Sequence, residues 1–290
     1  MDTDAPILRL SLYSRFVKLE HTVFSLPLIY AGALLSLRGA LTGSLALLIF
    51  LAAVGGRIAA MGLNRIIDAE IDRRNPRTQI RELPQGLLEV WEGWVIVTLG
   101  TVLYIFSALH LGVMCLTLAP IPLMLFVIYP YLKRVTTWTH IGLGIAWSMG
   151  PLAGWLAVSK SLAGIGEIGW LWLFSVLWVA GFDIIYATMD IEFDQQEGLF
   201  SIPARWGYDS ARRVAALLHI GAFLCLAMLW WTRGMLPEHC YSPLSLIVLA
   251  AIGGALIIEH RIAERNPQAA FFQCNAIIGF LVLAFVWFGV

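Results

Sequence analysis

The sequence predicts an all-α, polytopic membrane protein, and three observations lead to this prediction. Of the 290 residues, 59% are hydrophobic and only 13% are charged, whereas a soluble domain is about one-quarter charged. The mean hydropathy is +0.79. Nine stretches are apolar over the roughly 20 residues that a membrane span needs. The formal net charge is zero, so nothing indicates a nucleic-acid partner.

The nine predicted transmembrane helices account for most of the chain. They cover residues 19–37, 44–66, 91–109, 112–131, 138–158, 168–189, 211–231, 244–260 and 269–289. The connections between them are short, which leaves no room for a sizeable soluble domain. We therefore expect a single transmembrane domain over residues 1–290.

The distribution of lysine and arginine predicts the orientation. With nine spans, the N-terminus and the loops after spans two, four, six and eight share one side of the membrane. That side holds nearly all the basic residues outside the spans, and only Arg38, Lys160 and Arg233 fall on the other side. Because cytoplasmic loops carry the excess of positive charge, we expect a multi-pass protein of the inner membrane with its basic side in the cytoplasm.

Two acidic motifs end the second and sixth predicted spans, both on the expected cytoplasmic side. Each repeats polar residues at every fourth position, so one helical face carries them. An ionised carboxylate is costly to bury in a membrane protein, and it usually marks a functional site. Magnesium prefers oxygen ligands, usually one or two carboxylates together with substrate phosphates. The predicted metal ligands are Asn64, Asp68, Asp72, Asp190 and Asp194.

An ordinary helix end is the alternative interpretation of the first motif. In that case Asp68 and Asp72 are solvated and simply pair with Arg65 and Arg73. The appearance of a second such motif, on another helix of the same membrane protein, favours the metal site.

Two charged residues lie deeper in the predicted spans. Asp183 is one heptad before Asp190, and Arg57 is two turns before Asn64. A buried carboxylate is paired, protonated or catalytic. We expect Arg57 to pair with a buried acid such as Asp183, either as a structural ion pair or as a contact to substrate.

Basic and aromatic side chains near the motifs are candidate phosphate or substrate contacts. Lys133 and Arg134 either bind phosphate or anchor a helix end at the interface, and the anchor role is favoured for Arg134. Arg77 lies in the basic loop after the first motif, which suits a leaving pyrophosphate as well as a positive-inside loop. Arg15 and Lys18 precede the first span and are weaker candidates. His21 and His140 are interface histidines or contacts to an aromatic substrate.

These motifs resemble those of the UbiA superfamily of intramembrane prenyltransferases. Asn64-Arg-Ile-Ile-Asp68-Ala-Glu-Ile-Asp72 matches the NxxxDxxxD pattern of the superfamily. Tyr186-Ala-Thr-Met-Asp190-Ile-Glu-Phe-Asp194 resembles the YxxxDxxxD pattern of its 4-hydroxybenzoate polyprenyltransferases. Tyr129-Pro-Tyr131-Leu-Lys133-Arg134 is similar to a tyrosine–lysine segment of the same branch.

The resemblance implies nine helices around a central cavity and a Mg²⁺-dependent transfer of an allylic polyprenyl group to an aromatic ring. Under that assignment, Lys133, Arg57 and Arg77 steady phosphate or the aromatic carboxylate, and Asp183 orients the acceptor or stabilises the cation. The substrate-binding set implied by the resemblance is Tyr186, Arg77, Arg15, Lys18, Tyr129 and Arg134. The implied partners are a polyprenyl diphosphate, an aromatic acid and the lipid bilayer.

The identity of the acceptor stays open. Glu82 stands where many ubiquinone enzymes of the superfamily have proline, and the segment from Asp194 to Gly207 is similar to a bacterial subgroup linked to menaquinone made through futalosine. The acceptor is therefore 4-hydroxybenzoate or a dihydroxynaphthoate. A membrane transporter, or another branch of the superfamily with a different acceptor, is the alternative function.

Overall fold

The part of the chain that the structure describes consists of helices and the turns and loops that join them. A computed structural model describes residues 5–18, 20, 22–36, 40–234 and 242–289. The α-helices are α1 (Ala5–Phe16), α2 (Thr22–Leu34), α3 (Gly43–Ile67), α4 (Ala69–Arg74), α5 (Val90–Leu111), α6 (Val113–Leu118), α7 (Pro120–Leu132), α8 (Thr139–Ser159), α9 (Gly169–Ala187), α10 (Ile191–Gln196), α11 (Ile202–Gly234), α12 (Pro243–Ala263), α13 (Pro267–Ala269) and α14 (Asn275–Gly289). Short 3₁₀ turns precede α9 and α10, and a π-helical turn joins α13 to α14.

Eight helical segments of the described residues are long and apolar enough to cross a membrane. They coincide with the second to ninth predicted spans, which confirms the all-α, polytopic prediction. The first predicted span differs. Its helix, α2, has 13 residues and a proline inside it, Pro27, which is shorter than the roughly 20 residues of a full span.

The described contacts divide the chain into two compact units. The first comprises residues 1–22 and 47–131. Its core includes Phe16, Val17, Leu83 and Leu88. Small residues let α3 and α5 approach closely: a Cβ added at Gly100 would lie 2.6 Å from the side chain of Ile58.

The second unit comprises residues 23–46 and 132–290. Helix α9 packs between α8 and α11, and its side chains Phe174, Trp178 and Phe182 are fully buried. These rings contact one another, with centroids 5.5 Å apart for the first pair and 5.3 Å for the second. That a single domain spans residues 1–290 remains a prediction.

Helix α11 has a sharp bend near its start. Gly207 has φ +80° and ψ 169° inside the helix, a conformation that residues with a side chain rarely adopt. The bend separates the short first part of α11, which follows Ser201, from the rest of the helix. It thereby lets the segment before the membrane helix fold back toward the second acidic motif.

Candidate active site

Both acidic motifs lie at a break in a helix. Helix α3 ends at Ile67 and α4 begins at Ala69, with Asp68 between them at φ −95° and ψ 1°. In the same way, Asp190 separates a 3₁₀ turn from α10, with φ −113° and ψ 11°. These angles fall in the sparsely populated bridge region, where many active-site residues are found. The structure thus adds a backbone break within each motif, which the fourfold spacing alone does not predict.

The break in the first motif leaves the fourfold register intact. The Asp68 N–H donates to the carbonyl of Asn64 at 3.0 Å, and the Asp72 N–H donates to the carbonyl of Asp68 at 2.8 Å. Because these are i to i−4 bonds, the three residues keep their spacing through the bend. The Asn64 amide also donates to Oδ2 of Asp68 at 3.2 Å.

The two carboxylates of the first motif are buried. Asp68 is 3% exposed and Asp72 is 4% exposed. Asp72 accepts a hydrogen bond from Nη1 of Arg81 at 2.6 Å, whereas Arg73 pairs with the exposed Glu70 at 3.0 Å. In the alternative of an ordinary helix end, the expected solvation of both carboxylates and the pairing of Asp72 with Arg73 are therefore wrong, whereas the pairing of Asp68 with Arg65 remains a prediction.

The loop after α4 folds back and delivers Arg81 to this carboxylate. The Asn75 side chain accepts from the Arg77 N–H at 2.9 Å, and the Thr78 hydroxyl donates to the carbonyl of Asp72 at 3.2 Å. Arg77, a predicted substrate contact, is half-buried in this loop. Arg81 belongs to the same basic loop as Arg77, which we expected to suit a leaving pyrophosphate. Its contact with Asp72 was not predicted, because no periodicity links a loop residue to a helix.

The second motif is tied to the start of α11. The Ser201 hydroxyl donates to Oδ2 of Asp194 at 2.9 Å. One residue earlier, the Phe200 N–H donates to the backbone carbonyl of Lys133 at 2.7 Å. The side chains of Asp190, Asp194 and Lys133 are half-buried. The segment 199–202 thus connects Lys133, the motif and α11 within the second unit.

Asp183 has a histidine partner that the sequence analysis did not assign to it. Nδ1 of His140 lies 2.7 Å from Oδ2 of Asp183, and the Ile202 N–H donates to Nε2 of His140 at 3.3 Å. Since Nε2 accepts, Nδ1 carries the proton and donates to the carboxylate. His140 is 2% exposed, so it is a core residue and not an interface histidine.

The structure therefore gives Asp183 a neutral imidazole as a partner, where we expected a guanidinium. Arg57 is half-buried within α3, in the first unit, so its pairing with Asp183 remains a prediction. The sequence signal that could have found the histidine is weak: His140 lies one residue into α8, on the same predicted membrane side as the motif.

An aromatic cluster flanks Tyr186. Its ring centroid lies 4.4 Å from that of Phe271, and Phe271 lies 5.3 Å from Phe182 in an edge-to-face contact. Phe271 belongs to the π-helical turn Ala270–Cys274. Such turns are frequent at functional sites, but no sequence pattern indicated this one.

The other predicted site residues are mostly peripheral. Arg15 is exposed and lies 4.0 Å from Glu82, and Lys18 pairs with Glu20 at 3.6 Å. Tyr129 is half-buried in α7, and Arg134 is exposed after it, as an interfacial anchor would be. His21 lies outside the described residues.

The donor set fits a magnesium site in chemical type. Asn64, Asp68 and Asp72 offer hard oxygen atoms in a buried setting, as Mg²⁺ prefers. Among the described residues, no three histidine, cysteine or acidic side chains are grouped to hold a metal ion by themselves. Magnesium usually takes only one or two protein carboxylates beside phosphate and water. That the two motifs share one ion-binding cavity remains a prediction.

Comparison with known proteins identifies the family. The model of the UbiA prenyltransferase family matches residues 25–288. The chain belongs to this family. It is therefore a prenyltransferase, and the resemblance seen in its motifs is confirmed.

Individual relatives place the chain within the UbiA family. It is 30% identical over 251 residues to a 4-hydroxybenzoate octaprenyltransferase of Coxiella burnetii, which covers 84% of this chain and 83% of that protein. The apo structure of a UbiA homologue from Aeropyrum pernix is 34% identical with a TM-score of 0.83, covering 92% of this chain and 97% of the other.

A more distant UbiA structure shares the fold. The homologue from Archaeoglobus fulgidus bound to GPP and Mg²⁺ is 17% identical, with a TM-score of 0.73, and covers 95% of this chain and 98% of the other. The motifs and these likenesses together identify a UbiA enzyme that resembles the 4-hydroxybenzoate polyprenyltransferases.

The buried pair of Asp72 and Arg81 predicts a large effect from a single substitution. Arg81→Gln removes the cation and leaves a buried carboxylate without it, which should destabilise the protein by about 2–4 kcal/mol. The measurement is the thermal unfolding midpoint of the purified protein in detergent.

Arg73→Gln is the matched control. Its ion pair with Glu70 is exposed, so the expected loss is about 0.5 kcal/mol or less. Equal midpoints for the two variants would contradict a structural role for Arg81.

Proposed function

We propose that this UbiA enzyme transfers a polyprenyl group from an allylic polyprenyl diphosphate to a phenolic aromatic acid in quinone biosynthesis. The observation that carries the proposal is the pair of acidic motifs, each placed at a helix break in an otherwise apolar bundle. The relative from Coxiella burnetii, named a 4-hydroxybenzoate octaprenyltransferase, supports this choice of substrates.

The proposed reaction balances without an oxidant or a reductant. The allylic C–O bond breaks, and its electron pair leaves with the pyrophosphate. A new C–C bond forms between the allylic carbon and a ring carbon of the acceptor. That ring carbon then loses its proton, so the products are the prenylated acid, pyrophosphate and H⁺.

The acidic residues are proposed to hold Mg²⁺ beside the diphosphate. The residues concerned are Asn64, Asp68, Asp72, Asp190 and Asp194. When bound, Mg²⁺ supplies positive charge that stabilises the departing pyrophosphate. The presence of GPP and Mg²⁺ in the Archaeoglobus fulgidus homologue supports this cofactor.

Basic residues near the motifs are proposed to complete the phosphate site. Lys133 directly follows α7, and its backbone carbonyl accepts a hydrogen bond from the segment before α11. Arg77 lies in the loop after α4. We assign both to phosphate oxygens, and Arg57 to phosphate or to the acceptor carboxylate. Arg15, Lys18, Tyr129 and Arg134 are proposed as outer substrate contacts.

The aromatic cluster is proposed to protect the allylic cation. Tyr186 and Phe271 form a half-buried surface in the same unit as Asp190. The faces of aromatic rings attract cations, by about 0.5–2 kcal/mol per contact. The apolar bundle excludes the water that would otherwise quench the cation.

Asp183 is proposed to orient the acceptor through its phenolic hydroxyl. Its carboxylate is an acceptor of hydrogen bonds, because the imidazole of His140 donates to it. The side chain of Asp183 is 24% exposed, whereas that of His140 is only 2% exposed. The carboxylate can thus meet a substrate while the histidine positions it from behind.

The location and the acceptor are also part of the proposal. The basic side of the bundle is placed in the cytoplasm by the positive-inside rule, which locates the site at the cytoplasmic face of the inner membrane. The named relative favours 4-hydroxybenzoate over a dihydroxynaphthoate. A transporter would instead move labelled substrates across vesicles without forming a product.

The first test concerns the central aspartates. Asp68→Ala and Asp190→Ala are expected to lower prenyl transfer at least 1,000-fold, since each removes a ligand needed to stabilise the leaving group. Purified protein is incubated with Mg²⁺, prenyl diphosphates of several lengths and both aromatic acids, and products are measured by mass spectrometry. Excess chelator should abolish the signal.

Glu70→Ala and Glu192→Ala are the matched controls for these variants. Both glutamates are exposed residues on the same short helices, α4 and α10, so their loss should leave the rate within about twofold. Wild-type rates from either aspartate variant would refute the metal site, and uptake without product would favour the transporter.

The second test concerns His140. His140→Ala removes the donor to Asp183, so the KM for the aromatic acid should rise about tenfold or more, in line with the loss of a hydrogen bond to a charged group. The KM for the prenyl diphosphate should stay nearly unchanged. Steady-state kinetics with each substrate varied in turn gives both values.

His140→Asn retains an N–H donor and is expected to restore part of the acceptor affinity. A purely structural role for His140 would instead change both KM values together, and the asparagine would give no selective recovery. Both variants are expected to keep forming product. A failure of the role proposed for His140 is therefore distinguishable from a failure of the proposed reaction, in which no product forms.

A further inference from the structure

A groove between α11 and α12 in the second unit is separate from the residues assigned to catalysis. Its volume is about 490 Å³, within the usual range of small-ligand sites. Two facing helical stripes form its walls. They consist of Arg212, Ala216, His219, Ile220 and Phe223 on α11, and of Gly253, Leu256, Ile257, His260, Arg261 and Glu264 on or directly after α12.

The groove is charged at one end and apolar at the other. Helix α11 begins at the end of the groove where α12 finishes. Arg212, near the start of α11, and Arg261, near the end of α12, therefore lie at the same end of the groove. Two to three turns further along, the lining is Ile220, Phe223 and Gly253. This gradient suits an amphiphile, with a polar head at the arginines and a hydrocarbon chain along the rest.

The charged end carries an excess of positive charge. Arg212 donates to Glu264 at 2.6 Å and to the carbonyl of His260 at 3.4 Å. The hydrogen bond from Arg212 lowers the pKa of Glu264, which keeps that carboxylate ionised. Arg261 is exposed beside this pair. The charged end therefore holds two guanidinium groups and one carboxylate.

A histidine pair makes the middle of the groove rigid. Nε2 of His219 lies 3.2 Å from the carbonyl of Trp178, which can only accept, so Nε2 carries the proton. Nδ1 of His219 then accepts from Nε2 of His260 at 3.0 Å. His219 is 2% exposed, and a Cβ at Gly181 would overlap its ring. The wall is therefore preformed.

We propose that this groove binds an anionic phospholipid, with the headgroup phosphate at Arg212 and Arg261 and one acyl chain along Ile220, Phe223 and Ile257. Basic pockets between transmembrane helices on the cytoplasmic side commonly hold such headgroups. The arginines belong to the side that the positive-inside rule places in the cytoplasm. A zwitterionic lipid has no net negative charge that could balance the excess positive charge of the groove.

The histidine pair gives the site selectivity for its occupant. A lipid phosphate near His260 meets a ring whose Nε2 proton is already donated to His219, so the arginines remain the main phosphate contacts. Among the described residues that line the groove, Glu264 is the only carboxylate. Glu259 is buried behind the wall, 3.8 Å from Nδ1 of His219. A phosphate diester, with one negative charge, matches it better than a prenyl diphosphate.

The test is native mass spectrometry of the full-length protein in detergent, titrated with phosphatidylglycerol or with phosphatidylcholine of the same acyl chains. The wild-type protein is expected to bind phosphatidylglycerol at least fivefold more tightly. Arg261→Gln should weaken that binding about fivefold, since each basic residue at an anionic lipid surface contributes about 1 kcal/mol. Arg212→Gln should act in the same direction.

Ala216→Phe fills the groove with an apolar ring and should abolish the selective binding. Because it leaves the charges in place, it remains informative if loss of Arg212 unfolds the protein. Arg213→Gln and Leu217→Phe are the matched controls: both side chains are exposed neighbours on α11 outside the groove, so binding should not change.

Four results would overturn the proposal, and the first three concern the lipids and the variants. They are equal binding of the two lipids, no effect of Arg261→Gln or Ala216→Phe, and displacement of phosphatidylglycerol by a prenyl diphosphate at equal concentration, which would make the groove an isoprenoid site. Displacement by millimolar inorganic phosphate alone would show that the acyl chain contributes nothing, and would likewise refute it.

Discussion

Carboxylates buried at the ends of apolar helices are the constraint on which the rest of the structure depends. An ionised aspartate away from water is unfavourable by several kcal/mol unless it is paired or bound to a cation. Asp68 and Asp72 are nearly inaccessible to solvent. The helix break at Asp68, the amide of Asn64 and the fold of the loop that carries Arg81 all serve to accommodate them.

In the second unit, one short segment connects two carboxylates of the proposed site. Ser201 binds Asp194, and the next residue, Ile202, donates its N–H to His140, which in turn holds Asp183. The residue before Ser201 is held by the carbonyl of Lys133. A displacement of this segment would therefore move two side chains at once: Asp194, which is proposed to bind the metal, and Asp183, which is proposed to orient the acceptor. We interpret it as a positioning element of the proposed site.

The sequence predicted the features that depend on hydropathy and short-range spacing. Nine spans were predicted from apolar length, and the structure confirms eight of them. The two acidic motifs follow from fourfold periodicity, and their role as a metal site remains a prediction. The alternation of spans and loops also predicted that Lys133 and Asp194 lie on the same side of the membrane. These inferences need no knowledge of contacts between distant residues.

The features that sequence did not predict depend on contacts between elements far apart in the chain. Arg81 reaches Asp72 through a loop, and His140 meets Asp183 across 43 residues. Neither contact has a periodic signature. The breaks at Asp68 and Asp190 were also missed. At Asp68 the bend preserves the hydrogen-bond register and leaves the fourfold pattern unchanged. Phe271 was missed because a π-helical turn has no compositional signal.

The central claim is that both acidic motifs bind the same diphosphate through magnesium. The most direct measurement is a double-mutant cycle on the Mg²⁺-dependent binding of an unreactive prenyl thiodiphosphate, using Asp68→Asn, Asp190→Asn and the double variant in calorimetric titrations. If the motifs share the ligand, the double variant should lose little more affinity than either single variant, with a coupling energy of about 1–3 kcal/mol. Losses that simply add, or binding that ignores either aspartate, would contradict the account.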